Sequence, residues 1–155
     1  MVPRPDILVS PSGKLVAFRT PDGDLLLSSN RAERLVRETW LRRNGQVRFD
    51  DIGDLDGVET WIRCDEAACD YLGRIRVQLS GAPADCSEFT LTIVPRAVAT
   101  ACPDGTIDQS DLAARGAHAI YLKDDGFEIV EAASLIGQRP WALPSLAVDD
   151  LGSDQ

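Results

Sequence analysis

Only one histidine stands in this chain of 155 residues, His118, together with four cysteines at 64, 69, 86 and 102. Those five side chains and 25 carboxylates are the raw material for any metal or nucleophilic chemistry. His118 lies in "GAHAIYL", among small and apolar residues, where a packed strand histidine is favoured over a ligand. Four cysteines allow three disulfide pairings, and they also allow reduced core thiols or a zinc site with four thiolates. The gaps between them are four, sixteen and fifteen residues, with none of the tight CxxC knuckles of a zinc ribbon. Disulfides would point to an oxidising compartment. There is no GxSxG elbow, no P-loop and no GxGxxG. Four Asp in "DDIGDLDG" lack the order and the distal Glu of a calcium loop, and are read as an exposed polar turn. Asp108 and Asp111 are spaced to cap a short helix.

The elements that would carry these groups follow from periodicity. Residues 6–10 and 14–20 read as strands, "TPDGD" as a tight turn and "LLLSS" as a third strand, together an antiparallel meander. Asn30 as N-cap and Glu33 as its capping-box partner predict a helix over 30–43, with Ala32, Leu35, Val36 and Trp40 on its apolar side and Gly45 as the stop. Arg31, Arg34, Arg37, Arg42 and Arg43 give this helix a basic surface, the best candidate for a contact face. "VETWIRC" and "CDYLGRIRVQLS" read as strands joined by "DEAA", which could bring Cys64 and Cys69 within bridging reach. "PADCSEFTLTIV" reads as a helical turn and a buried strand. Beyond it are expected a strand stub, a helix at 109–115, a strand at 117–122, an Asp-Asp-Gly turn and a strand at 127–132. Trp40, Trp61 and Trp141 are read as core residues, since they do not alternate with basic residues as in a single-strand-binding surface.

Length and composition bound the class. The chain has the size of one domain, 44% of it hydrophobic and 26% charged, as in a folded protein. No apolar run reaches 18 residues, and no basic-then-apolar leader is visible at the start, which reads like the inside of a longer protein. The net charge is −9, but residues 1–48 hold nine Arg or Lys against five Asp or Glu. So acidic a whole disfavours nonspecific nucleic-acid binding, while leaving room for a local positive face.

The order of the motifs resembles the extracytoplasmic C-terminal region of ComEC-type competence proteins, the inner-membrane channels for DNA uptake, in the form found in alphaproteobacteria. In many members that region is a metallo-β-lactamase-like domain opening with V-G-Q-G-D, a strand, T-P-D-G and L-L-I-D-G-G. "VSPSGKLVAFRTPDGDLLLSSN" follows the same frame, with Pro11 at the Gln, Gly13 at the Asp, and Ser28, Ser29 and Asn30 at D-G-G. Ala82 stands where the family has the Asp of L-L-x-G-D, and "TIVPRAVATAC" fills the H-H-G-S slot without a histidine. "LAARGAHAIYLKDDGFEIVEA" is similar to the closing hairpin, and "RAERLVRETWLRR", "CDEAAC", "DCSEFTLTIVPR" and "QRPW" extend the likeness over roughly residues 3–142.

The resemblance implies an α/β fold with a mixed, largely antiparallel sheet and few helices, a reduced metallo-β-lactamase-like domain over 1–142 followed by an acidic flexible tail, 143–155. It implies the periplasmic face of the inner membrane, which agrees with disulfides. Every metal-ligand position that can be placed holds a poorly ligating residue, so the family's nuclease activity passes to no residue here. The expectation is a non-catalytic accessory domain with no cofactor. Its partners would be the membrane channel portion of the same full-length protein and, further, single-stranded DNA or other competence proteins. The alternatives are a metal-dependent phosphodiesterase using Asp, Cys and His118, and a free-standing periplasmic binding module.

Overall fold

A computed structural model describes residues 4–80, 91–94 and 106–132. The first three strands are β1 (Ile7–Val9), β2 (Val16–Arg19) and β3 (Leu25–Leu27). They form the expected meander, β1 on β2 and β2 on β3, both antiparallel. Each is short because a turn interrupts it early. Gly13 and Gly23 take φ of 77° and 94°, the left-handed region that side chains disfavour.

Helix α1 spans Arg34–Arg43, four residues later in its start than the capping-box reading placed it. Asn30 is not its cap. The Ser29 hydroxyl instead accepts the N–H groups of Arg31 and Ala32 at 3.0 and 3.1 Å, holding the chain in a turn. Glu33 then becomes the cap residue at φ 52°, and its side chain accepts from Ser12 rather than from its own helix. A local serine turn has outcompeted the first helical turn. The C-terminus is as expected: Gly45 at φ 65° lets Gly45 N bond Arg42 O and Gln46 N bond Leu41 O, a Schellman closure.

After a single 3-10 turn at Ile52–Asp54, capped by Asp51, come β4 (Ile62–Cys64), β5 (Ala68–Tyr71) and β6 (Ile75–Gln78). The stretch 69–80, expected as one strand, is two. Leu72 and Gly73 adopt φ of 54° and 68° and Arg74 N bonds Tyr71 O, a type I′ turn within the three-residue connection 72–74 between the paired Tyr71 and Ile75. The fully buried β7 (Leu91–Val94) runs parallel to β6, and β8 (Thr106–Asp108) parallel to β7. Helix α2 (Gln109–Arg115) follows with Asp108 and Asp111 in a reciprocal capping box, at the residues and in the role expected. Strands β9 (His118–Lys123) and β10 (Gly126–Glu131) close the described chain as an antiparallel hairpin.

The strands make two five-stranded sheets rather than the one expected: β10-β9-β1-β2-β3, wholly antiparallel, and β4-β5-β6-β7-β8, mixed. Their inner faces share one core. Ile7, Val9, Val16, Phe18 and Ile120 of the first sheet join Cys69, Tyr71, Ile75, Val77, Leu91, Ile93 and Ile107 of the second, with Leu112 of α2 at the margin. Alternation along each strand makes this possible, as neighbouring residues point to opposite faces. Polar atoms tie the layers as well: Tyr71 Oη donates to Arg19 O at 2.7 Å and Arg74 Nη2 to Gly126 O at 2.7 Å. On the outer face of the first sheet, Leu15, Ala17, Leu25 and Leu27 form a second cluster under Val36 and Trp40 of α1. The class is therefore α/β, with largely antiparallel pairing.

Candidate interaction surface

Two of the loops that the resemblance marks as ligand-bearing, at residues 10–13 and 28–30, meet near the start of α1. The buried Ser10 hydroxyl accepts Leu15 N at 3.1 Å, Ser12 accepts Lys14 N at 3.0 Å, and Ser28 accepts Val16 N at 2.9 Å. Ser29 holds the turn before the helix, and Ser12 donates to Glu33. These hydroxyls satisfy backbone donors that tight turns would otherwise leave without partners. Among the described residues no three His, Cys, Asp or Glu side chains converge as a metal cluster would need. Ala82 lies outside the described residues.

His118 is 2% exposed, a packed strand residue. Its Nδ1 lies 2.8 Å from Gly116 O. Its Nε2 lies 3.5 Å from Glu131 Oε2, directly across β10, and that carboxylate also receives Arg115 at 3.0 Å. Both ring nitrogens thus face neighbours within the hairpin and helix α2.

Cys64 and Cys69 form a disulfide across the β4–β5 hairpin, their Cα atoms 4.0 Å apart. The neighbouring Asp65–Ala68 pair carries the ladder hydrogen bond, so the cysteines occupy the close, non-hydrogen-bonded site of an antiparallel pair. Asp65 shapes the turn: its Oδ1 accepts Ala67 N and Ala68 N, which together hold its pKa below the ordinary carboxylate value. Cys86 and Cys102 lie outside the described residues, as does Trp141. Trp40 lies in the cluster beneath α1, and Trp61 meets Tyr71 edge-on with ring centroids 6.2 Å apart.

The five candidate arginines do not act alike. Arg34 is paired with Glu38 at 2.9 Å on the solvent side of α1, which raises the pKa of the one and lowers that of the other. Arg37 donates to Asn30 O at 2.9 Å and lies over the Phe49 ring, 5.5 Å from its centroid. Arg31 and Arg42 are exposed. Arg43 turns the other way and lines a groove of about 540 Å³ beside α1. That groove also takes in Arg4 and Arg19, which sequence reasoning missed because the meander and the helix end bring them together from far apart in the chain. Both donate to Asn44 Oδ1, at the C-terminal end of α1. Burial, then the neighbouring Arg4, lower the pKa of Arg19.

A second cavity, of about 550 Å³, opens at the turn between β2 and β3. Asp24, Asp50, Asp54 and Glu59 line it with Phe49 and Trp61. The molecule therefore presents an acidic cavity and a basic groove, a separation that the net charge conceals. Among the described residues no helix is long and apolar enough to cross a membrane. Compared with protein-family models, with curated proteins and with solved structures, the chain matches none.

Proposed function

We propose that this chain is a non-catalytic interaction domain of a DNA-uptake membrane protein, a reduced metallo-β-lactamase-like domain on the periplasmic side of the inner membrane. The carrying observation is the exposed arginines of α1 and of the turn before it, where Arg34 and Arg42 on the helix and Arg31 in the turn stand in solvent on an otherwise acidic chain. Such a helix gives long-range attraction to an acidic or phosphate-bearing partner while the rest of the surface repels it, which fixes orientation. The membrane channel portion of the same full-length protein is the partner the motif order favours, with single-stranded DNA and other competence proteins as further partners. The serine-lined loops support the non-catalytic reading, since their hydroxyls are spent on backbone N–H groups. The disulfide supports an oxidising compartment.

Metal analysis of the purified chain combined with a phosphodiester-cleavage assay separates this reading from the metal-dependent phosphodiesterase. The interaction domain gives no turnover with any added divalent cation. Stoichiometric metal accompanied by cleavage would replace it with the enzyme.

A further inference from the structure

Helix α1 covers β2 and β3 but leaves the outward side chains of β1, β9 and β10 beside it. The strand register sets these in a row, Leu8 opposite Ala119 and Ala119 opposite Val130. With Val36 and Trp40 of α1 they make apolar walls of the basic groove. Its volume of about 540 Å³ falls among clefts that hold small organic ligands, about 300–1,000 Å³. The charge on its lining is gathered at one end. Arg4 and Arg19 bond Asn44 just after α1, and Arg43 directly precedes Asn44. Among the described residues no carboxylate forms an ion pair with any of these three guanidinium groups. Asp6, whose charge reaches Arg19, accepts Leu122 N at 2.8 Å instead. Two of the three guanidinium groups share a single amide oxygen, and like charges held this close favour an added anion. Donors are left over to receive it. Arg19 spends Nε on Pro5 O and Nη1 on Gly23 O and Asn44 Oδ1, which leaves Nη2, and Arg4 spends only Nη1.

We propose that this groove binds a small amphipathic carboxylate, a single carboxylate head on an unbranched apolar chain, as in a medium-chain fatty acid. The head takes the unspent N–H groups of Arg4, Arg19 and Arg43, whose planar forks match the two oxygens of a carboxylate. The chain lies over Leu8, Ala119 and Val130 and runs toward Pro11, which Ser12 holds beside the start of α1. It also shields Leu35, which is 79% exposed, a large apolar side chain left in water at the groove's edge. Complementarity selects this occupant: the lining offers charge at one end and apolar surface along the rest. A nucleic-acid strand would need cations spaced along its path, and these are clustered. The site uses none of Arg31, Arg34 or Arg42, so it stands apart from the partner surface proposed above.

The test titrates the ¹⁵N-labelled full chain with decanoate, below the concentration at which it forms micelles, and follows the amide shifts by NMR. Saturable shifts are expected at residues 4–8, 35–44 and 117–121. Decanol, which is the tail without the head, and acetate, the head without the tail, are each expected to bind at least tenfold more weakly. Arg43→Gln, at an exposed position, is expected to weaken decanoate binding at least fivefold while the spectrum keeps the dispersion of a folded chain. No saturable shift, shifts centred on the acidic cavity at the β2–β3 turn, decanol binding as tightly as decanoate, or an affinity indifferent to the charge at position 43 would each overturn the proposal.

Discussion

Asp108 shows how much one carboxylate is asked to do. It accepts from Ser110 Oγ at 2.7 Å and Asp111 N at 3.0 Å, contacts that hold its pKa below the ordinary value, the hydroxyl contributing most. A carboxyl depressed on folding adds stability in full above its unfolded pKa, near pH 4, and loses it as pH falls through the folded value. Asp108→Asn keeps a capping oxygen but removes the titration. Denaturant melts across pH 2–7 should show near wild-type stability at neutrality and a shallower acid limb. The opposite sign governs Tyr71, whose phenol is pushed up, first by burial and then by the Asp6 charge. The unfolded phenol ionises near pH 10 while the folded one stays protonated, so stability falls as pH rises past 10. Tyr71→Phe should remove that fall. At neutral pH it should cost about 1 kcal/mol, because the carbonyl of Arg19 loses its 2.7 Å partner.

At the scale of elements, the type I′ turn at Leu72–Gly73 carries a side chain where the backbone wants none. Leu72 sits at φ 54°, is 48% exposed and gains little from burial. Leu72→Asn creates Asn-Gly, the pairing this turn prefers, and should stabilise the domain by about 0.5–1 kcal/mol in urea titrations. The adjoining disulfide closes a short loop. Replacing both Cys64 and Cys69 by Ser should cost about 2 kcal/mol by loop entropy, read from the same titrations under non-reducing conditions. Local chemistry made some elements legible in the sequence and others not. The capping box at Asp108 and the hairpin through Asp124 and Asp125 were readable, as both are written in contiguous residues. The start of α1 was not, because Ser29 and Asn30 are both good turn and cap residues. What decided between them was a contact from Ser12, 21 residues away in sequence from Glu33. "CDYLGRIRVQLS" hid its turn because Leu at a left-handed position is not a turn signal.

For the whole molecule, the central fact is distribution of charge and cover. The first sheet has one half beneath α1 and the other facing the groove, and three arginines from distant segments converge there. Sequence supplied the basic helix but not the convergence, since Arg4, Arg19 and Arg43 meet only once β1, β2 and the end of α1 are docked. It likewise supplied the mixed, largely antiparallel pairing but not the split into two sheets, which depends on β1 pairing with β9 more than a hundred residues on. The functional reading rests on this architecture as a surface for partners. Its most direct measurement is a binding titration of the chain against the purified membrane channel portion proposed as its partner, at 50 and 200 mM salt. The account predicts saturable binding that weakens with salt and falls at least tenfold in the double variant Arg31→Glu, Arg42→Glu. Binding indifferent to those two charges, or no binding at either salt concentration, would contradict it.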